Sequence, residues 1–192
     1  MSSNDRRIMA CSNWHCQLPP RPILSRRQRR DESVERRLTT ILSADIAGYS
    51  RLMEIDELGT HRRLAALRSQ VVEPLLADKG GRLVKATGDG FLAEFPNAIH
   101  AVECAIGIQD QTAASNQSLP DDQWIEWRLG LHYGEVIADR GDIFGGDVNI
   151  AARIESLAEP GEIYMSGRMR EQVRSGAPLV CLDLGERWLK NI

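Results

Sequence analysis

Apolar residues recur along this chain with two different periods, and the periods alternate from Leu38 onward. Residues 38–44 form a nearly uncharged run of strand length, whereas Leu64, Leu67 and Val71 recur at the spacings of three and four that are typical of an amphipathic helix. Applied to the whole chain, these patterns predict strands near 38–45, 81–84, 91–95, 125–133, 135–138, 162–165, 179–184 and 186–190, and helices near 52–79, 98–114, 148–158 and 167–173.

Helices interspersed with hairpins predict an α+β fold. The expected architecture is ferredoxin-like, with a mixed or antiparallel sheet and the helices packed on one face. Pro74 is expected to kink or divide the first long helix. The strands 125–133 and 135–138 are expected to meet at Gly134.

The most informative turn is Gly88-Asp89-Gly90, which joins two strand-like runs and so predicts a β-hairpin. Lys85 lies four residues before Asp89, on the incoming strand. A carboxylate flanked by glycines can approach a metal ion or a phosphate closely, because its neighbours have no Cβ. Asp-Gly is also ordinary hairpin chemistry, so the turn alone leaves a purely structural role open.

A second acid ends the uncharged strand at Asp45 and is followed by small residues that open a helix. This arrangement places a metal ligand beside free backbone N–H groups that can hold phosphate. Asp45 alone is equally compatible with a helix N-terminal acid. Two such acids at adjacent strand ends favour a metal-binding role over a purely structural one.

The helix predicted near 148–158 has an apolar face and a polar face. Asn149 and Arg153 lie one turn apart on the polar face, and Asp142 precedes the helix start. Such a pair is often only a solvated surface. Together with two acids and a lysine, it becomes a candidate site for an anionic ligand.

Charge divides the chain into two parts. Residues 1–37 hold nine arginines and four acids, a net charge of +5, while the whole chain carries −3, which leaves −8 for residues 38–192. We therefore predict a basic, disordered arm over residues 1–35 and one acidic domain over 36–192. Nucleic-acid-binding proteins need a broad positive surface, so no nucleic-acid partner is expected.

The four cysteines do not form a disulfide framework in a chain of 192 residues. Cys104 falls in an apolar helical run and is predicted to be a core residue, and Cys11, His15 and Cys16 lack a clear fourth ligand for a metal ion. No stretch is long and apolar enough to span a membrane, and the N-terminus has no apolar secretion segment. The default expectation is a reducing, cytoplasmic location.

Five motifs in this order resemble the catalytic domain of the bacterial class III nucleotidyl cyclases. They are Asp45-Ile46-Ala47-Gly48-Tyr49-Ser50, Lys85-x-x-Gly88-Asp89-Gly90, Asp142-Ile143-Phe144-Gly145, Val148-Asn149-Ile150-Ala151-Ala152-Arg153 and Leu189-Lys190-Asn191-Ile192. The resemblance covers about residues 36–192 and implies the class III cyclase homology fold.

The resemblance also implies a head-to-tail homodimer whose protomers share each active site. Asp45 and Asp89 of one protomer would hold two Mg²⁺ or Mn²⁺ ions, following two-metal logic for in-line displacement. The backbone amides of the same protomer that would cradle phosphate are those of Ile46, Ala47, Gly48 and Tyr49.

The second protomer would supply the remaining groups. By resemblance, Lys85 and Asp142 would bind the base, and Asn149 would orient the ribose. Arg153 would neutralise the charge that develops at the α-phosphate, and Lys190 would hold the β- and γ-phosphates.

The base can be argued from hydrogen-bonding chemistry. Lys85 donates and Asp142 accepts, which matches the N1 acceptor and the 6-amino donor of adenine. Guanine would leave both groups mispaired at about 1 to 3 kcal/mol each. The expected reaction is conversion of ATP to 3′,5′-cyclic AMP and pyrophosphate, which makes the chain an adenylate cyclase for signal transduction.

The chain departs from the family pattern in three places. It stops two residues after Lys190, where the family continues into another strand, so the domain is expected to lack its last strand. The turn at residues 139–142 is short, and Asp147 stands one position later than usual.

Two other functions remain open. One is a catalytically silent cyclase-like module that binds a nucleotide and dimerises. The other is a diguanylate cyclase, suggested by Gly145-Gly146-Asp147, although this run is predicted to open a helix and not to form a hairpin.

Overall fold

The computed structural model describes residues 7–11, 34–174 and 180–187, with only the backbone pairing for 7–11. The strands are β1 (Arg7–Cys11), β2 (Glu35–Ile46), β3 (Arg82–Ala86), β4 (Gly90–Phe95), β5 (Trp127–Asp139), β6 (Asp142–Phe144), β7 (Ile163–Ser166) and β8 (Cys181–Glu186). The helices are α1 (Tyr49–Leu67), α2 (Glu73–Asp78), α3 (Ala98–Asn116), α4 (Gly146–Leu157) and α5 (Gly167–Val173).

The strands form one mixed sheet in the order β3-β4-β2-β5-β7-β1-β8, and β6 pairs with the far end of β5. The pairs are antiparallel except for β5 with β7, which run parallel. At the centre, β2 and β5 are paired continuously from Glu35 opposite Ala138 to Ile46 opposite Trp127. The predicted α+β class with a mixed sheet is confirmed.

One face of the sheet carries the main core. Alternate residues of β2, β4 and β5, such as Leu42, Phe91 and Trp127, pack there against apolar side chains of α1, α3 and α5. The Phe91 and Trp127 rings meet edge to face, with centroids 5.5 Å apart. This face holds the helices that were expected on one side of the sheet.

Helix α4 departs from that one-sided arrangement and lies on the opposite face. Ala151 packs there with Ile41, Leu92, Val136 and Ile143 in a smaller apolar cluster. The strand residues of this face are otherwise largely polar. We call it the α4 face, and it carries the candidate site described below.

Three local predictions have clear outcomes. Pro74 lies in the first turn of α2, directly after a π-helical turn at Arg68–Val72, so the predicted division of the long helix is confirmed. The break expected at Gly134 is wrong, since β5 continues through it. Cys104 is fully buried as predicted, and burial raises the pKa of its thiol to about 12.

Part of the predicted N-terminal arm belongs to the sheet. Residues Arg7–Cys11 form β1, which pairs with β7 and β8, so these five residues are not irregular. Residues 12–33 lie outside the described residues, and the division into an arm and a domain stays a prediction. Within the described ranges, no helix is both long and apolar enough to cross a membrane.

Candidate active site

The two predicted metal ligands meet at one corner of the sheet. Asp45 lies at the end of β2, opposite Gly90 of β4. The Ile46 N–H donates a 3.1 Å hydrogen bond to the carbonyl oxygen of Asp89, which fixes the Asp89 turn to the end of β2. A Cβ at Gly90 would lie 2.2 Å from the Ala44 carbonyl oxygen, so this close approach requires glycine.

A cation and a third acid complete this corner, and sequence reasoning missed both. Arg128 lies opposite Asp45 across the β2–β5 pairing, and its Nη2 contacts Asp45 Oδ2. Glu155 of α4 is buried and accepts a 3.2 Å hydrogen bond from the Ser43 hydroxyl. No local motif marks either residue, since each reaches Asp45 through the register of the sheet or the packing of α4.

The pKa of Glu155 reflects this crowding. Burial raises it to about 7, and the negative charge of Asp45 adds to the increase. The Ser43 hydrogen bond and the positive charge of Arg128 act in the opposite direction, and the charge of Asp89 adds a smaller increase. Glu155 thus responds to the charges of two acids and one guanidinium near the end of β2.

The two predicted base-binding residues contact each other. Lys85 Nζ lies 3.2 Å from Asp142 Oδ2, and it also lies 5.9 Å from the centre of the Phe144 ring. A β-bulge between Leu83 and Lys85 turns the Lys85 side chain onto the α4 face, opposite Leu92. The structure therefore brings a donor and an acceptor together beside an aromatic ring.

Helix α4 presents the two residues predicted to be catalytic away from the acids. Asn149 is exposed and Arg153 is half-buried. The Arg153 Nε is shielded from solvent and has no hydrogen-bond partner within the described residues. Across the same residues, no hydrogen bond or ion pair joins Asn149 or Arg153 to Asp45 or Asp89.

The backbone amides predicted to cradle phosphate are not all free. The Ile46 N–H is bonded to Asp89, and the Ala47 N–H donates a 2.9 Å hydrogen bond to the Glu126 carbonyl oxygen. Gly48 has a left-handed φ of 64° and precedes α1, which begins without a side-chain cap. Within the described part of the chain, the amides of Gly48 and Tyr49 donate no hydrogen bond to a group outside α1. Lys190 lies outside the described residues.

Asp147 has a structural role in the first turn of α4. It accepts a 2.5 Å hydrogen bond from the Glu135 N–H, and its Oδ1 lies 3.3 Å from Nε2 of the fully buried His132. Burial acts to raise the pKa of Asp147, but the contacts with His132, the Glu135 N–H and Arg168 outweigh it and hold the pKa below its usual value. Residues 145–147 open a helix, as predicted, and do not form a hairpin turn.

Comparison with known proteins decides the family. The sequence profile described as "Adenylate and Guanylate cyclase catalytic domain" matches residues 32–181. The chain belongs to this family. The chain is 47% identical over 161 residues, 84% of this chain, to "Putative adenylate cyclase 3" of Rhizobium meliloti (strain 1021), and 34% identical over 146 residues, 74% of this chain, to "Adenylate cyclase" of Streptomyces coelicolor.

A solved structure shows the same fold. The "Adenylate/Guanylate Cyclase/Hydrolase" from Silicibacter pomeroyi matches the cyclase domain with a TM-score of 0.78 and 41% identity, over 83% of this chain and 93% of that one. The cyclase domain spans 27% and 36% of the length of the two curated relatives. The relatives therefore contain further sequence beyond the part that this domain matches.

Proposed function

We propose that this chain is the catalytic domain of an adenylate cyclase that converts ATP to 3′,5′-cyclic AMP and pyrophosphate. The observation that carries the proposal is the contact between Lys85 and Asp142 at 3.2 Å. Such a pair offers one donor and one acceptor side by side, which matches the N1 and 6-amino edge of adenine. Guanine presents the opposite pattern, and each mispaired group would cost about 1 to 3 kcal/mol. The 47% identity to a putative adenylate cyclase supports the same substrate.

The acids at the end of β2 fit divalent metal ions. Carboxylate oxygens are the ligands that Mg²⁺ and Mn²⁺ prefer, and Mg²⁺ sites commonly use one or two carboxylates together with substrate phosphates. Asp45 and Asp89 supply two carboxylates at one corner, and no group of three or more metal-ligating side chains occurs within the described residues. We assign Asp45 and Asp89 to two ions that bind with the nucleotide.

In the proposed reaction, ATP is cyclised by attack of its own ribose 3′-hydroxyl, and different residues of the chain act on the ribose and on the α-phosphate. The ribose 3′-hydroxyl would lose its proton to solvent water and its oxygen would attack the α-phosphorus. A new O–P bond would form while the bond from the α-phosphorus to the bridging oxygen breaks and releases pyrophosphate. Divalent ions held by Asp45 and Asp89 would supply positive charge that acidifies the 3′-hydroxyl and shields the triphosphate. Asn149 would orient the ribose and Arg153 would balance charge at the α-phosphate.

The remaining groups would hold the triphosphate. The amides of Gly48 and Tyr49 at the start of α1 would bind phosphate oxygens, as uncapped helix N-termini do. Lys190 is assigned to the β- and γ-phosphates by its position in the last motif.

We further propose that the active site is completed by a second copy of the chain. Arg153 carries a shielded Nε without a partner in the described residues, and neither it nor Asn149 contacts the acids of its own protomer. A head-to-tail homodimer would bring Asn149 and Arg153 of one protomer to Asp45 and Asp89 of the other. Each dimer would then contain two shared sites.

Mixing two inactive variants tests the shared site. Asp45→Asn and Arg153→Ala should each be inactive as homodimers, whereas a refolded equimolar mixture should recover about a quarter of the wild-type activity, since half of the dimers would be mixed and each would hold one intact site. Failure to recover activity in a mixture shown to contain heterodimers would contradict the shared site.

The function itself is tested by product formation. The purified chain is incubated with Mn²⁺ and either ATP or GTP beside Asp45→Asn, which keeps the size of the side chain. Cyclic AMP from the wild type and none from the variant would support the proposal. Preferential formation of cyclic GMP would contradict the assignment of ATP as the substrate. If a dimeric sample formed no cyclic nucleotide from ATP or GTP, the proposed cyclase activity would be wrong.

One observation favours the alternative of a silent nucleotide-binding module. Arg128 already neutralises Asp45 within the chain, so a divalent ion must compete with a guanidinium for this carboxylate. In a silent module, ATP would bind with an affinity that does not depend on Mn²⁺. Measuring ATP binding with Mn²⁺ and with EDTA separates the two functions.

A further inference from the structure

Arg82 connects the interior of the sheet to the turn that carries Asp142. Its Nε donates a 2.7 Å hydrogen bond to Glu94 Oε1, and its Nη1 donates a 2.5 Å hydrogen bond to the carbonyl oxygen of Gly141. Gly141 directly precedes Asp142. One guanidinium therefore connects β4, which lies between β3 and β2, to the residue next to a proposed base-binding group.

The inner end of this connection is rigid. Glu94 is 5% exposed, and its second carboxylate oxygen accepts a 2.6 Å hydrogen bond from Arg37 Nη2. A carboxylate this deeply buried needs both partners, because an unpaired buried charge is strongly destabilising. Since β4 lies between β3 and β2, Glu94 cannot shift without disturbing both of its neighbours.

The outer end of the connection needs support. Residues 139–142 join β5 to β6 by a two-residue turn in which Arg140 and Gly141 both have positive φ, at 47° and 83°. Asn and Gly favour such a turn, whereas arginine at its first position does not. The sequence of the turn therefore does not by itself fix the position of Asp142.

The contact between Lys85 and Asp142 cannot supply the missing support. Lys85 is 48% exposed and Asp142 is 34% exposed. Ion pairs with this exposure contribute about 0 to 1 kcal/mol, which is too little to hold a turn in one place. The hydrogen bond from Arg82 to Gly141 adds a second constraint, because the same guanidinium is held by the buried Glu94 carboxylate.

The bulge in β3 makes this arrangement possible. Arg82 and Lys85 are three residues apart, a spacing that places side chains on opposite faces of a regular strand. The irregular register between Leu83 and Lys85 returns both to the α4 face, opposite Glu94 and Leu92. One strand thus carries a base-binding lysine and the anchor for the acid beside it.

We propose that Arg82, held by Glu94, is a positioning residue that sets the preference for adenine over guanine by fixing the Gly141–Asp142 turn against Lys85. This inference rests on the proposed function, because it assumes that Lys85 and Asp142 read the base. Arg82 itself does not contact the nucleotide. Its loss would let Asp142 move away from the position that accepts the 6-amino group of adenine.

Arg82→Lys tests the proposal, and Arg37→Lys is its matched control. Each variant keeps a positive charge beside Glu94, so each retains the fold through the same ion pair. Arginine bonds Glu94 and Gly141 through two different nitrogens, whereas lysine offers one, so we expect Arg82→Lys to keep the ion pair with Glu94 and to lose the bond to Gly141. Arg37 has no hydrogen bond to the turn within the described residues, so its replacement leaves the turn tethered.

The decisive measurement is kcat/KM for ATP and for GTP, with Mn²⁺, in the wild type and both variants. We expect Arg82→Lys to lower the ATP-to-GTP ratio about tenfold, mainly through ATP, and Arg37→Lys to keep it within about twofold. If Arg82 had only a structural role, Arg82→Lys would lower kcat/KM for ATP and for GTP by the same factor. An unchanged ratio in Arg82→Lys, or an equal fall in Arg37→Lys, would overturn the proposal.

A second measurement keeps this inference separate from the proposed activity. If the wild type forms no cyclic nucleotide, the same ratio is taken from competition of ATP and GTP with a fluorescent ATP analogue. A preference for ATP that is lost in Arg82→Lys and kept in Arg37→Lys would support the positioning role even in a silent domain. Equal binding of ATP and GTP by the wild type would overturn it.

Discussion

His132 Nδ1 lies 2.8 Å from the Ser166 hydroxyl oxygen, and both residues are fully buried. The opposite nitrogen of the ring lies 3.3 Å from Asp147, at the start of α4. The same hydroxyl oxygen of Ser166 accepts the Met169 N–H and caps α5. One imidazole thus connects the start of α4 with the start of α5 through β5.

Replacing His132 with alanine should therefore destabilise the domain. The change leaves Ser166 and Asp147 without their shared partner and opens a buried cavity, so we expect the free energy of unfolding to fall by about 2 to 4 kcal/mol. Urea unfolding measures the change. His61→Ala is the control, since His61 is exposed on α1 and its loss should cost less than about 0.5 kcal/mol. Equal effects of the two changes would contradict the bridging role.

Glu155 should make the metal-free protein less stable as pH rises. Its pKa is about 7 in the folded chain and 4.5 in the unfolded chain, so the folded state holds the proton more tightly. The stability loss then begins above the unfolded pKa and is complete above the folded one, at a total of up to about 3 kcal/mol.

Glu155→Gln isolates this effect, because glutamine keeps an oxygen for the Ser43 hydroxyl but does not titrate. Urea unfolding in EDTA is compared at pH 5 and pH 8. The variant should gain stability relative to the wild type between these two values. A difference between the two proteins that does not change with pH would show that Glu155 is not the titrating group.

Gly130 sets the distance between α4 and the sheet. A Cβ at this position would lie 2.3 Å from the backbone nitrogen of Glu155 and 2.6 Å from the carbonyl oxygen of Ala151. Gly130→Ala should push α4 away, lower the free energy of unfolding by about 2 to 4 kcal/mol and reduce cyclase activity. Gly146→Ala, in α4 itself, is the control, because a Cβ there meets nothing within 4 Å. We expect that change to be neutral or to stabilise by up to about 1 kcal/mol.

Arg153 should matter for turnover and little for stability. Its Nε has no partner in the described part of the chain, so Arg153→Ala removes no hydrogen bond of that atom from the protomer. We expect kcat with ATP to fall about 100- to 1000-fold while the free energy of unfolding changes by less than about 1 kcal/mol. Arg62→Ala, on the exposed side of α1, should leave kcat within about twofold. If Arg153→Ala lowered the free energy of unfolding by as much as it raised the activation free energy of turnover, Arg153 would have a structural role.

The parts of the candidate site that could be predicted from the sequence are those that local chemistry defines. The glycine-flanked turn at Asp89, the strand end at Asp45 and the polar helix face at Arg153 each leave a signal within about ten residues. The α+β class followed from periodicity in the same way. Those predictions needed no knowledge of which strands pair.

The contacts that the sequence missed depend on pairing at long range. Arg128 reaches Asp45 across 83 residues, and Ser43 reaches Glu155 across 112. Gly134 was expected to break β5, but its lack of a side chain serves contact with Asp147, where a Cβ would lie 2.1 Å from the carboxylate. The bulge before Lys85 is equally invisible, since it is a property of two strands in register.

The continuous pairing of β2 with β5 also bears on how the domain is synthesised. It joins segments that are about 80 to 100 residues apart, and such non-local pairing forms slowly because a long loop must close first. On the ribosome, β2 and β4 emerge well before β5, so Asp45 and Asp89 are present before Arg128 arrives to pair with Asp45. Until then one edge of β2 stays open to other chains. Nascent chains that end before Trp127 are therefore expected to be the species most prone to edge-to-edge association.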